Sequence, residues 1–427
     1  MFVRNTPSLR AAMACLLSLT VTVAVAGDWP QWRGPNRDGK SAETGLIENW
    51  DKTPPKHLWT IEGMGEGYAS VSISMGSLYT TGNLEGGQGV IKVNLADHTV
   101  AWTKVVTEGK PDHGYGGSRC TPSIDGELLY VVTSDGRISC LKVANGDIVW
   151  TRPFKDWDGK LQKNWGFSES PLVDGDLVLC TPGDDAAMIV ALDKKTGKEV
   201  WKSAMPQIGD RGKDGAAYSS IVISHGAGVK QYVSLVGRGL IGVRASDGKH
   251  LWGYNRVAND TANIPTAVTE GDYVFASSGY GTGSCLLKLS NDGDGVKAEE
   301  VYFLNAKIFE NHHGGFILAN GFIYSGTKNR NGFPICVELK TGEVKWGGEI
   351  RGEGNGSAAV TMVDGQIIFR YEDGKLALVN ATPSGYELNG TFTPEFQQKE
   401  SWAHPVVSDG LLYLREQNKL MCYDLHE

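Results

Sequence analysis

Ala191-Leu192-Asp193-Lys194-Lys195-Thr196-Gly197-Lys198-Glu199-Val200-Trp201 decides the fold. It reads as a strand, a polar turn carrying Gly, and a second strand that ends in Trp. Degraded copies recur along the chain, each closing on an aromatic residue: Trp59, Trp102, Trp150, Trp201, Trp252, Phe303, Trp346 and Phe392. The gaps are 43, 48, 51, 51, 51, 43 and 46 residues. Each gap holds four short strands and their turns, which is the content of one propeller blade. The last copy stops at Met421-Cys422-Tyr423-Asp424-Leu425 with no turn and no Trp, while an orphan His57-Leu58-Trp59 stands near the start. A ring closed by its two chain ends accounts for both. The expected fold is therefore all-β: an eight-bladed β-propeller of four-stranded blades over 57–427, with an N-terminal strand completing the last blade and leaving no free edge.

Short alternating apolar runs are separated by turn pairs such as Asp125-Gly126, Asp135-Gly136, Asp174-Gly175 and Asp364-Gly365, and long helical periods are missing. Each unit is expected to begin with a polar inner strand, starting near Tyr68, Ser118, Ser168, Tyr218, Asn263, His313, Gly356 and Ser401. Blades five and seven fit least well, because they end in Phe and because Asn291-Asp292-Gly293-Asp294-Gly295 interrupts the fifth. The repeated Trp residues are expected to pack between neighbouring sheets as core, and the turn glycines to supply positive φ.

Residues 1–26 read as a cleaved secretory signal. Arg4 and Arg10 precede an apolar run, and Ala24-Val25-Ala26 suits cleavage before Gly27. The run is too short and too polar for a stable membrane span. Export to the periplasm or beyond follows, with 27–56 as an irregular Trp-anchored strap. Net charge is −8, and −10 once Arg4 and Arg10 are gone. An acidic chain without a basic run excludes nucleic acid as partner. Cys140 and Cys336 occupy equivalent places in different blades, too far apart for a disulfide, so the cysteines are expected to be buried thiols.

The repeat Ala191–Trp201, with weaker copies at 242–252 and 336–346, resembles the tryptophan-docking repeat of the pyrroloquinoline quinone (PQQ) quinoproteins. The start Asp28-Trp29-Pro30-Gln31-Trp32-Arg33-Gly34-Pro35, with Gly65-Glu66-Gly67-Tyr68-Ala69-Ser70, is similar to that of secreted bacterial PQQ-like propellers. Two branches of that superfamily imply different functions. Quinoprotein dehydrogenases of alcohols or sugars hold PQQ and calcium over the ring axis. The propeller subunit of the outer-membrane β-barrel assembly machinery keeps the ring and binds protein. The adjacent cysteine pair that stacks on the quinone in the dehydrogenases has no counterpart here, and the chain is little more than the ring. The resemblance implies the fold; neither a catalytic residue nor a calcium ligand set carries over.

The segments entering the inner strands are expected to line one mouth of the axial channel. They offer His113, Tyr115, Arg119, Trp165, Glu169, Tyr218, His313, Asn355, Trp402 and His404. Aromatic rings there could sandwich a planar or polyol ligand, Arg119 could pair with carboxylates, and His313, His404, Glu169 and Asn355 could supply polar or metal contacts. Strand alternation predicts that at most one of His312 and His313 faces the channel. Lys195-Thr196-Gly197 and Gly279-Tyr280-Gly281-Thr282-Gly283 are repeat turns and links rather than motifs for nucleophilic catalysis or phosphate binding. The expectation is a monomeric, exported scaffold of the cell envelope that binds a ligand or a protein, with a PQQ- and calcium-dependent dehydrogenase as the alternative.

Overall fold

A computed structural model describes Met1 and residues 27–427; the expected leader otherwise lies outside the described residues. Eight four-stranded antiparallel sheets follow one another along the chain. Seven are built from four consecutive strands. The eighth joins Val406–Ser408, Leu411–Glu416 and Lys419–Asp424 to Lys56–Glu62. The register there runs from Lys56 opposite Asp424 to Glu62 opposite Lys419, so the two ends of the chain zip the ring shut. No helix among the described residues is long and apolar enough to cross a membrane.

The blades grade from largely buried inner strands, as at Ser72–Ser74, to half-exposed outer ones, as at Thr99–Val105. The inner strands are shorter than the sequence pattern implies. Stretches such as 68–71 and 118–122 are irregular, because their backbone bonds leave the blade. Tyr68 N–H donates to Ser118 C=O and Tyr218 N–H to Asn263 C=O. Side chains continue the pattern: Thr121, Ser170 and Ser220 N–H groups donate to the hydroxyls of Ser170, Ser220 and Thr266, each in the next blade. These polar inner residues are thus hydrogen-bonded links around the axis, which is how buried polar groups are tolerated.

The outer Trp residues dock one blade onto the next. Trp102 and Trp150 donate their indole N–H groups to Val143 C=O and Lys194 C=O of the following blades. Their rings lie over the turn glycines Gly146 and Gly197, where an added Cβ would sit 2.9 Å and 2.6 Å from indole carbon. Those glycines also have φ of +74° and +68°, so both conformation and close approach demand glycine. In blade five the docking residue is Tyr302, not Phe303. The strand bulge falls one residue earlier, and Tyr302 covers Gly342 and donates to Leu339 C=O. The interruption at 291–295 is the tip of a long hairpin, Gly283–Asp292 with Gly295–Asn305. Phe392 packs on Trp50 and Tyr423. In blade one the turn uses His98 at φ +57°, stacked 4.6 Å from Trp59.

The strap crosses the ring at the end opposite the irregular loops. Trp29 bridges Ile73, and Pro30 C=O accepts from Ile124 N–H. Arg37 donates to Ser170 and Pro171 carbonyls, and Arg33 to Phe316 C=O. Lys40 then bridges Met362, and Leu46 bridges His426. Residues 29–46 therefore touch six of the eight blades, and both buried guanidinium groups donate to backbone carbonyls of the blades.

Candidate functional site

The channel mouth opposite the strap holds a cavity of about 390 Å³. Its floor is Trp32, delivered by the strap; its ring meets His404 edge-on at 5.7 Å. Aromatic side chains from successive blades form the wall. Trp402 lies 4.5 Å from Tyr68, 5.0 Å from Tyr115 and 5.0 Å from His313 between ring centroids, and Trp165 lies 5.8 Å from Tyr218. Polar groups are interleaved: Arg119, Arg330, Glu372, Glu400, His312, His313 and His404. A concave pocket with an apolar wall and a few convergent polar groups is the usual form of a small-molecule site.

Seven of the ten residues singled out in the sequence line this cavity: Tyr115, Arg119, Trp165, Tyr218, His313, Trp402 and His404. Three do not. Glu169 is buried, turned into the ring, where its carboxylate accepts from the N–H and hydroxyl of Thr181. Burial pushes its carboxyl up to about 7, against the pull of Thr181 and Arg37. His113 lies behind the wall, against Gly166. Asn355 sits on the outer rim, tied twice to Asp373 at 2.9 Å.

Arg119 also plays a different part from the expected one. Its guanidinium donates to Trp165 C=O at 2.6 Å, Tyr115 C=O at 2.7 Å and Gly114 C=O at 3.0 Å. Burial lowers its pKa to about 10, still far above neutrality. It holds the Tyr115 and Trp165 loops together, with Tyr68 against its charge at 5.7 Å. Arg330, by contrast, has no hydrogen bond or ion pair among the described residues and lines the same cavity. Tyr115, Tyr280 and Arg330 all have positive φ, of 56°, 57° and 62°. Such left-handed non-glycine residues are costly and gather at functional sites.

Both His312 and His313 line the cavity, against the alternation argument. The reason is local: 310–315 is not a strand. Asn311 brackets the loop by donating to Gly315 C=O, Ser325 hydroxyl and Gly326 C=O. Gly314 presses so close to blade seven that a Cβ would overlap Ala358 C=O at 1.6 Å. That contact sets His313 Nε2 3.0 Å from Glu372 Oε1. His312 Nε2 faces the Tyr280 hydroxyl at 2.9 Å and its Nδ1 the Ser357 hydroxyl at 2.8 Å. Burial, with the neighbouring His313, depresses the His312 pKa to about 3, so this imidazole is neutral. Burial alone would raise the Glu372 carboxyl, but the hydrogen bond and charge of His313 outweigh it and hold it down at about 2. His404 is likewise kept neutral, at about 3, by burial and the nearby Arg33.

Tyr280, Arg330 and Glu372 were missed in the sequence. They come from the loops between second and third strands, whereas only the segments entering the inner strands were read as lining the mouth.

Residues 41–160 and 86–348 match the family model described as "Outer membrane protein assembly factor BamB". The chain belongs to this PQQ-repeat family. A BamB from Alteromonas naphthalenivorans is 28% identical over 116 residues, which are 25% of this chain and 27% of that one, so the chain spans about a quarter of that relative's length. In solved structures, BamB from Moraxella catarrhalis superposes with a TM-score of 0.59 at 12% identity, over 87% of this chain and 97% of that one. A europium-containing methanol dehydrogenase gives 0.63 at 13%, over 91% and 89%. The quinohemoprotein alcohol dehydrogenase from Comamonas testosteroni gives 0.64 at 11%, over 94% and 81%. At such identities the likeness is one of fold.

The dehydrogenase branch brings a quinone and calcium into question. Calcium takes six to eight oxygen ligands. The cavity supplies two carboxylates, Glu372 and Glu400, and sets two imidazoles beside the first. Arg119, the expected partner for ligand carboxylates, is occupied by three carbonyls. The six described cysteines are separate buried thiols. This donor set does not fit a calcium-bound quinone.

Proposed function

We propose that this family member is an exported scaffold of the cell envelope that binds a small polyol or planar ligand in the axial cavity. The observation that carries this reading is the cage itself: Tyr68, Tyr115, Trp165, Tyr218 and Trp402 surround polar side chains above a Trp32 floor. Rings of this kind stack on sugar faces or planar ligands, while carboxylates, imidazoles and a free guanidinium take the hydroxyl groups or an anionic substituent. Trp402 Nε1 and His404 Nδ1 on the wall are buried without a hydrogen-bond partner among the described residues, a state that polar ligands or water commonly relieve. The family's description as an outer membrane assembly factor supports an envelope setting and leaves room for a protein partner.

The test titrates residues 27–427 with monosaccharides, oligosaccharides and PQQ with and without calcium, reading tryptophan fluorescence and Tm. Ligand at 100 times Kd adds about 2.7 kcal/mol to stability. For a chain of this length that is about 3 °C. A saturable sugar response abolished by Trp402→Ala supports the proposal. A response only to PQQ with calcium overturns it in favour of the dehydrogenase, and none to any of the panel at millimolar concentration overturns the small-ligand reading.

A further inference from the structure

We propose that His312, His313 and Glu372, with Tyr280 beside them, form a binding site for a single borderline divalent transition-metal ion such as Zn²⁺, at the side of the axial cavity. The inference does not depend on which organic ligand the cavity takes. One ligand atom from each of the three residues lies within 4.8 Å of the other two. One edge of the group is already short, His313 Nε2 to Glu372 Oε1 at 3.0 Å, and the Tyr280 oxygen stands beside it, 2.9 Å from His312 Nε2. Bonds of 2.0–2.1 Å to a tetrahedral ion put neighbouring ligand atoms about 3.3 Å apart. The remaining separations need only modest side-chain contraction.

The surroundings are those of a held ligand set. Metal-bound imidazoles commonly have their second ring nitrogen fixed by a hydrogen bond, which sets the tautomer and aims the lone pair. His312 Nδ1 has that bond, 2.8 Å from the Ser357 hydroxyl, which leaves Nε2 directed at the cavity. The same Ser357 accepts, through its carbonyl, the N–H of Glu372 at 3.1 Å, so one residue braces two of the three ligands. The His313 ring is held against Trp402 at 5.0 Å and against His312 at 4.3 Å. Tyr280 is placed by a left-handed backbone at φ +57°, a conformation that needs a compensating reason. Nitrogen and carboxylate donors in a set of three, with room on the cavity side, select zinc-like ions over calcium and leave a coordination position open toward the cavity. Arg330 faces the same space; its charge opposes a dication, Glu372 offsets it, and together the ion and Arg330 would favour an anionic or hydroxyl-rich guest.

The experiment is isothermal titration of tag-free residues 27–427 with Zn²⁺, Co²⁺ and Ca²⁺, with the visible spectrum of the Co²⁺ form read alongside. The expected result is one Zn²⁺ or Co²⁺ per chain, a tetrahedral-type cobalt spectrum and no heat with Ca²⁺. His313→Ala and Glu372→Gln each weaken binding by at least about 100-fold, the upper end of what loss of an outer partner does. His312→Ala also cuts ties to Ser357 and Tyr280, so it is read only beside those two. Circular dichroism and Tm establish that each variant is folded. Absence of stoichiometric binding overturns the site, as does binding that survives both His313→Ala and Glu372→Gln. Trp165→Ala separates the two proposals: that ring packs on Tyr218 and touches neither histidine, so its loss weakens sugar binding and leaves the ion bound.

Discussion

Glu169→Gln tests how the ring handles a buried charge. The side chain is 3% exposed, and its carboxyl is pushed up from 4.5 to about 7 by burial, with Thr181 and Arg37 opposing. A carboxyl whose folded pKa is raised stabilises the protein fully below its unfolded pKa and loses that contribution as pH rises through the folded value. The window is therefore about pH 4.5 to 7. Each pKa unit is worth about 1.4 kcal/mol, so the wild type forfeits about 3 kcal/mol across it. Gln has the same shape, can still accept from Thr181 N–H and can donate to the Thr181 hydroxyl, but it has no charge to bury. The variant should match the wild type near pH 4.5, gain on it steadily, and be about 3 kcal/mol more stable at pH 7 and above. With an unfolding entropy of about 0.9 kcal/mol/K for this length, that is 3–4 °C in Tm. Denaturant unfolding of both proteins at pH 5, 6, 7 and 8 reads it directly, since every other titrating group cancels in the difference. Parallel curves with a constant gap, or a variant less stable at pH 8, refute the account and would mean that Arg37 keeps Glu169 ionised in the folded ring.

The closure of the ring carries a second prediction. Arg415 of the last blade is buried and donates to carbonyls of Met64 and Gly65, in the link into blade one, and to the Thr81 carbonyl and Thr80 hydroxyl of that blade's second strand. Arg415→Met leaves those acceptors unpaired and should cost about 4–6 kcal/mol, read as a fall in Tm of about 5–7 °C in calorimetry; a change under about 1 °C refutes the clasp. The six described cysteines are free and buried, and burial pushes the thiols of Cys120, Cys140, Cys336 and Cys422 up to about 12. A thiol reagent should label none of the six in the native protein and all six in denaturant, and rapid native labelling would refute the burial.

The circular repeat was legible because its signal is local and redundant. Gly197 needs positive φ, Trp201 needs a neighbour to cover, and a strand lacking at one end of the chain is present at the other. The rim rings Tyr115, Trp165, Tyr218 and Trp402 were legible for a related reason: blade symmetry repeats the place where they enter. What failed did so where symmetry is broken. Phe303 was read as the residue that closes the fifth repeat, and spacing does not reveal that a bulge gives the docking role there to Tyr302. His312 and His313 were treated as a strand, but Gly314 pressed against Ala358 makes their backbone a loop. Glu169 and Arg119 looked like site groups by type, yet Thr181 and three carbonyls had claimed them.

Periodicity along the chain thus determined the number of blades and their strands, because those depend on neighbours within about fifty residues, and the closing partner, because a strand missing from the last repeat is present near the first. The cavity floor and its polar cluster were decided by tertiary structure alone. Trp32 lies 372 residues from His404, and Glu372 lies 59 from His313. Only the closing of the ring, and the strap drawn across it, brings such groups together. No spacing rule encodes those contacts, because they arise from how loops of neighbouring blades and the strap pack at the axis.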